Sequence, residues 1–342
     1  MPKRTPLGGR GRPAESSARR VLVMLPPLVF TPLYRRYIWG GRRFADAFGR
    51  ALPTGEDYAE SWELVDRATD QSIVRAGPLA GMSLGQLVGE RGEDLFGHAP
   101  PPAFPLLFKF LDANRVLSVQ VHPDDERAAR LTPPDRGKTE AWYVVAAEPE
   151  SRIYAGLREG VGREELARAI RAGTCEAVLH AFRPAPGDCV FIPAGTVHAI
   201  GAGLLVAEIQ QSSDVTYRLF DWNRTGPDGK PRPLHVDAGV EAVTRTGPVG
   251  PAVPAPTADP AARRLVACEF FALDEVRPRS SWRCGGDGGC HFLAVIAGSI
   301  RLPDQWGLPP LGPGDCVLLP AAAGEQVMAA GVGTKLLRVA VP

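Results

Sequence analysis

Short apolar segments separated by Gly, Pro and Asp dominate the chain. LLFKFL, VLSVQVH, AWYVVAA, DCVFIPA, LLVAEIQ and VTYRLFDW are each rich in β-branched or aromatic residues and bounded by turn formers, which predicts a strand for each. Helical spacing is confined to a few places. REELARAIRAG (163 to 173) sets Leu166 and Ile170 four apart and stops at Gly173, and a short helix over Ser83 to Val88 takes Ser83 as its N-cap. The aromatic, Arg-rich stretch from Leu33 to Glu63 reads as irregular strands and turns around buried aromatics. The pattern is that of an all-β sandwich or barrel with small helical additions.

The stretch GPVGPAVPAPTADPAA (247 to 262) is Pro- and Ala-rich and nearly free of charge, and is expected to form an extended, semi-rigid linker. Beyond it, PGDCVFIPA (186 to 194) recurs as PGDCVLLPA (313 to 321), with seven of nine positions identical at a shift of 127. This echo favours two copies of one β-architecture. The expected divisions are a basic disordered tail over 1–24, a first domain over 25–246, the linker over 247–262 and a smaller β-domain over 263–342.

Composition narrows the function. At 342 residues and 44% apolar content, the chain can bury a sizeable core and is neither disordered nor collagen-like. Lys plus Arg (39) nearly balance Asp plus Glu (38), so no global field recruits nucleic acid or anionic membrane, and a charged substrate needs a local basic cluster. The balance hides an asymmetry: six Lys/Arg and one acid lie in the first 20 residues, leaving −4 on the rest. VLVMLPPLVF (21 to 30) follows that basic start, but two prolines interrupt it and no small-residue cleavage site follows, which argues against a signal peptide. Six irregularly spaced cysteines without a CxxC pair do not make a disulfide framework, so a cytoplasmic location is expected. No segment reaches the roughly 18 apolar residues of a membrane span.

The chemistry concentrates in GDCVFIPAGTVH (187 to 198). Gly187 permits the turn into a strand, and Pro193 and Gly195 shape the bend that aims His198 inward; this is the second motif of the cupin barrel. For the first motif, VLSVQVHP (116 to 123) supplies Gln120 and His122, and GKTEAWYVV (137 to 145) supplies Glu140. Alternation along a strand sends Gln120 and His122 to one side, and Lys138 and Glu140 likewise. Two imidazoles and a carboxylate, with or without an amide oxygen, form an open site suited to catalytic zinc, with manganese, iron or cobalt as alternatives. His98, His180 and His235 read as structural or exposed, and CGGDGGCH (284 to 291) reads as a glycine-rich hairpin tip rather than a metal loop.

From about Pro32 to Val243 the chain resembles the cupin-type (type I) mannose-6-phosphate isomerases, short bacterial form, through FPLLFKFLDANRVLSVQVHP, GKTEAWYVV, PAGTVHAIG and SSDVTYRLFDW. The resemblance implies a double-stranded β-helix (jelly-roll) barrel with a small helical insertion and one Zn2+ per chain held by Gln120, His122, Glu140 and His198, Gln120 being the weakest match. It implies Arg218 and Lys138 as catalytic groups, with Lys109, Ser118 and Glu208 lining the substrate pocket. The implied reaction interconverts mannose 6-phosphate and fructose 6-phosphate by proton transfer between C1 and C2 through an enediolate, with cations holding the phosphate.

Two features depart from the family pattern. Longer members place a histidine immediately before the lysine of the glutamate motif, whereas Gly137 stands here, so the proton carrier is left open among Lys138, Glu208 and a water on the metal. The C-terminal copy carries Glu325 where the shift lands from His198 and has no QxH or KTE equivalent, so a degenerate cupin-like domain without metal is expected. The competing readings are another cupin metalloenzyme, either a different sugar-phosphate isomerase or a dioxygenase, and a non-catalytic sugar-phosphate-binding cupin. The expected partner is a small sugar phosphate, with no nucleic acid or membrane, and the expected oligomeric state is monomer or weak dimer.

Overall fold

A computed structural model describes residues 24–225 and 229–341; apart from Met24, the expected basic tail lies outside them. Two antiparallel sheets face each other. The six-stranded sheet runs in the order Cys189–Ile192, Glu140–Ala147, Leu204–Gln211, Leu106–Ala113, Glu60–Leu64, Leu33–Arg35. The five-stranded sheet runs Leu179–Phe182, Ile153–Leu157, His198–Ile200, Val119–Val121, Tyr217–Phe220. From Leu106 to Phe220 the chain alternates between the two sheets, save for the paired strands Ile153–Leu157 and Leu179–Phe182, which is the jelly-roll barrel of a cupin. Trp142, Val144, Ile153, Val190, Ile200 and Val206 fill the space between the sheets.

Each sheet is covered on its outer face as well. Leu166 and Ile170 of the helix Arg163–Arg171, with Ala242 of the helix Val236–Ala242, pack on Val119, Val121 and Leu219 behind the five-stranded sheet. Phe108, Phe110, Tyr143 and Ile209, on the back of the six-stranded sheet, share one core with Phe292, Leu318 and Val339 of the C-terminal region. Burial on both faces explains why LLFKFL and LLVAEIQ read as continuous apolar runs rather than alternating ones.

Both predicted helices are present, one of them longer, and Arg43–Phe48, Asp125–Ala128 and Val236–Ala242 are helices that spacing does not predict. Ser83 caps a helix that continues through Leu84–Phe96, closed by a capping box with Gln86. Gly89 and Gly92, together with non-helical backbone at Arg91, dilute the apolar pattern over its second half. The Arg-rich stretch resolves into the paired strands Leu33–Arg35 and Glu60–Leu64 and the helix Arg43–Phe48.

Past residue 246 the chain stays extended but does not stand clear of the barrel: Val249 N donates to Ala155 O (3.0 Å) and Ala252 N to Cys189 O (2.7 Å). It then enters a six-stranded sheet ordered Ala255–Pro256, Ala262–Ala267, Ala272–Val276, Lys335–Val341, Cys290–Ala297, Cys316–Leu319, backed by a three-stranded one. Leu28 joins the same region, exchanging backbone hydrogen bonds with Leu318 (2.8 Å each way). The segment CGGDGGCH is a crossing between these two sheets rather than a hairpin tip, and within it His291 Nε2 bonds Asp287 (2.9 Å).

A buried polar contact ties the C-terminal region to the strand of the candidate site. Ala141 and Tyr143 turn their side chains away from the barrel interior, opposite to Glu140 and Trp142. The Tyr143 hydroxyl donates to Glu275 Oε2 at 2.6 Å, and Glu275 also accepts from Arg263 (3.0 Å) and Arg277 (2.5 Å). Tyr143→Phe should therefore cost about 1–2 kcal/mol, while Glu275→Ala, which strands the hydroxyl and two guanidiniums, should cost more; urea unfolding of both variants checks the order.

Candidate active site

The strand register places the predicted residues on facing walls. On the five-stranded sheet His198 pairs with Gln120 and Gln120 with Arg218, so these three side chains share one face. On the six-stranded sheet Trp62 pairs with Lys109, Lys109 with Glu208, and Glu208 with Trp142, while Glu140 pairs with Gln210. All of these point between the sheets.

His122, Glu140 and His198 converge there, with one potential ligand atom from each lying within 4.8 Å of the others. Their orientation is fixed from behind. His122 Nδ1 lies 2.9 Å from Val215 O, and His198 Nδ1 lies 2.9 Å from Thr196 O. A carbonyl can only accept, so each Nδ1 carries the proton and each Nε2 presents a lone pair forward. The Nε2 atoms lie 3.5 Å (His122) and 3.4 Å (His198) from the two oxygens of Glu140. Both Nε2 atoms and both carboxylate oxygens are buried without a hydrogen-bond partner.

Burial holds the histidines neutral, with His198 pushed down to about 4 and His122 also lowered, and pushes Glu140 up to about 7 against the pull of Lys138. Two imidazole lone pairs aimed at a buried carboxylate form a donor set that fits a divalent cation, whose charge would favour the ionised form that burial disfavours. Gln120 stands beside His198 on the cavity wall, half-buried, its amide without a protein partner among the described residues.

The bends that build this arrangement depend on glycine. Gly195 has φ +83°, and a Cβ there would lie 1.9 Å from Thr244 Oγ1. At Gly137 a Cβ would lie 2.5 Å from Asp125 N, so the backbone that delivers Lys138 and Glu140 has no room for the histidine of longer family members.

Lysines and carboxylates alternate along the six-stranded wall. Lys138 Nζ lies 3.1 Å from Glu140 and 3.8 Å from Glu208; Lys109 Nζ lies 3.3 Å from Glu208 and 3.4 Å from Glu60. Trp142 Nε1 donates to Glu208 (3.1 Å) and Trp62 Nε1 to Glu60 (2.6 Å). Burial alone would lower Lys109 and raise Glu208, but the ion pairs win: Lys109 is raised and Glu208 lowered, so both are charged.

A cavity of about 320 Å³ opens onto this wall. Lys109, Ser118, Gln120, Lys138, Glu208 and Arg218 all line it, so every expected pocket residue reaches one space. Arg218 is half-buried and, among the described residues, paired to no carboxylate, its Nε buried without a partner; it donates from Nη1 to Pro233 O (3.1 Å). Glu60, Asp214, Tyr37, Trp39 and Arg232 also line the cavity and were not singled out from the sequence. Of these, Glu60 is legible only as the cross-strand neighbour of the Lys109 strand.

The other histidines lie elsewhere. His98 bonds Ala99 O, His180 packs near Phe182, and His235 Nδ1 accepts from Arg218 N (3.2 Å). All six cysteines are free, and no helix among the described residues is long and apolar enough to cross a membrane.

Known proteins resemble the chain in sequence and in fold. Residues 28–150 match the model of the phosphomannose isomerase type I catalytic domain. Mannose-6-phosphate isomerase ManA of Bacillus subtilis (strain 168) is 35% identical over 312 residues, 87% of this chain and 94% of the relative. The mannose-6-phosphate isomerase of Streptococcus mutans is 35% identical over 87% of this chain and 93% of its own length. The crystal structure of mannose 6-phosphate isomerase from Bacillus subtilis superposes with a TM-score of 0.83 at 31% identity, covering 92% of this chain and 99% of that one. A phosphomannose isomerase variant from Salmonella typhimurium shares the fold at a TM-score of 0.78 and 16% identity. With a catalytic-domain match over the first strands and relatives aligned along most of its length, the chain belongs to the type I phosphomannose isomerase family.

Proposed function

We propose that the protein interconverts mannose 6-phosphate and fructose 6-phosphate in this cavity with the aid of one zinc ion. The observation that carries the reading is the set of four buried acceptor atoms without a hydrogen-bond partner on His122, Glu140 and His198, opening through Gln120 and Lys138 onto a cavity lined by four cations and three carboxylates. His122, Glu140 and His198 would hold the metal, with the Gln120 amide oxygen as the fourth donor. Bound there, it would polarise the oxygens at C1 and C2 and favour the enediolate.

The chain's own residues supply the rest. In the aldose-to-ketose direction the proton leaves C2, the electron pair forms the C1–C2 double bond, and the carbonyl oxygen at C1 takes up the charge. Reprotonation at C1, with the O2 proton moved to O1, leaves the carbonyl at C2. Lys138 and Glu208, 3.8 Å apart on the cavity wall, are the pair at which that proton is carried. Lys109 holds Glu208 ionised and in place, and Ser118 contacts the open-chain sugar from the opposite wall. Arg218 takes the phosphate. Its strand is two strand spacings, about 10 Å, from that of His198, which suits an extended six-carbon phosphate lying with its carbonyl end near Glu140.

We divide the chain for this purpose into a catalytic barrel over 25–246, the connecting segment 247–262 and a C-terminal β-region over 263–342. The matching turns at Asp188 and Asp315 support treating the last as a second cupin-like copy.

Two outcomes are expected. Protein stripped of metal by a chelator should lose conversion of mannose 6-phosphate in a coupled assay and regain it with zinc at one equivalent per chain, as read by elemental analysis; full turnover in metal-free protein would overturn the reading. Glu140→Gln should lose bound metal, whereas Glu208→Gln and Lys138→Met should keep it and lose about 100-fold or more in kcat, a split seen by running the metal assay and kinetics on the same preparations.

A further inference from the structure

Next to Arg218 the cavity holds a second guanidinium, that of Arg232, which also lines an adjoining open groove with Arg36 and Arg115. Arg232 donates from Nε to Asp221 Oδ2 (2.8 Å) and from Nη2 to Oδ1, so one edge of its fork is committed. Its Nη1 meets no acceptor among the described residues. Asp221 is also bonded by Arg224 (2.6 Å), but Arg224 reaches on to Val116 O (2.7 Å) and does not line the cavity. One carboxylate thus serves two guanidiniums, and only Arg232 of the two faces the ligand space.

The loop that carries Arg232 also orients Arg218. Pro233 O accepts from Arg218 Nη1, His235 N donates to Arg218 O (2.7 Å), and His235 Nδ1 accepts from Arg218 N. Arg218 is lowered by burial and then by the charge of Arg232, so the two cations are near enough to repel. Arg218, Arg224 and Arg232 outnumber Asp221, the one carboxylate bonded to any of them among the described residues, which leaves positive charge for a phosphate dianion. Holding two guanidiniums close together in one cavity is unfavourable until an anion bridges them, and the planar fork is suited to phosphate oxygens.

We propose that Arg232 is a second phosphate-binding residue, forming with Arg218 a two-guanidinium clamp on the substrate's phosphate, and that Asp221 positions it by its Nε/Nη2 edge. The proposal rests on the sugar-phosphate reading above and extends it to a residue outside the strand motifs.

The test is calorimetric titration of the metal-loaded protein with inorganic phosphate, beside turnover kinetics, for wild type, Arg232→Met and Arg232→Lys. Phosphate affinity should fall about tenfold or more in the Met variant and less in the Lys variant, which keeps a charge but not the fork. The KM for mannose 6-phosphate should rise by a similar factor, with kcat falling less. Unchanged phosphate affinity in folded Arg232→Met, with only Tm and kcat reduced, would assign Arg232 a structural role and overturn the clamp, as would a wild type that binds no phosphate. If the Met variant does not fold, the Lys variant decides by the same two readouts. A wild type that binds phosphate through Arg232 yet isomerises no sugar phosphate would sink the isomerase reading while leaving the clamp in place.

Discussion

Glu140 is a carboxylate only 1% exposed, facing two imidazole nitrogens that have no proton to offer it. An ion so placed costs several kcal/mol unless a countercharge arrives, and the rest of the barrel is arranged around that demand. The backbone carbonyls of Val215 and Thr196 commit the Nδ1 protons and so turn both lone pairs forward. Lys138 balances one side of the carboxylate but leaves its oxygens without hydrogen-bond geometry, so the compensation is partial by construction. Lys109 and Glu208 repeat the same logic down the strand pair, each held between two groups of opposite sign, and Glu60 ends the row against Lys109. That leaves the wall ionised yet nearly neutral, a surface on which a polar substrate can be desolvated without unpairing any protein charge.

The residues that were legible in the sequence are those whose direction is set locally. Gln120 and His122 share a face because a strand alternates; Glu140 follows Lys138 by two; His198 is aimed by a Pro-Gly bend whose left-handed glycine leaves a single workable residue. Lys109 and Arg218 were reached through family resemblance, because a lone lysine in an apolar strand and an arginine near a strand start carry no local signal. Glu60, Asp214 and Arg232 were missed for a related reason. Two of them owe their place in the cavity to long-range pairing: Glu60 to the register of its strand against Leu106–Ala113, Arg232 to an ion pair with Asp221 across a Pro-rich loop. The helix after Ser83 runs past Val88 because tertiary packing of Leu95 and Phe96 overrides the two glycines that blur its apolar face.

The two Gly-Asp turns separate architecture from chemistry. At Asp188 the backbone carbonyl accepts from Val144 N (2.9 Å) and the side chain from Ala185 N; at Asp315 the carbonyl accepts from Val295 N (2.9 Å) and the side chain from Gly312 N. The strands that follow pair alike, but Ile192 stands opposite Glu140 and Leu319 opposite His291. His291 bonds Asp287, and Glu325, the counterpart of His198 by the 127-residue shift, pairs with Arg283. One turn-and-strand device thus supports a convergent donor set in one place and dispersed ion pairs in the other, as expected when function is grafted on a fold.

The pairing of Leu28 with Leu318 closes one sheet with residues from opposite ends of the chain. For a protein synthesised from its N-terminus, this sets an order of events. The strands that carry Lys109, Glu140 and Glu208 are complete long before the C-terminal strands that cover their backs have left the ribosome. Phe108, Phe110 and Ile209 must then wait with an apolar face open, and the segment around Leu28 must wait for almost the whole remaining chain. Contacts of such long sequence separation slow folding and lengthen exposure to aggregation, so the C-terminal region governs when the site matures as well as how firmly it is held.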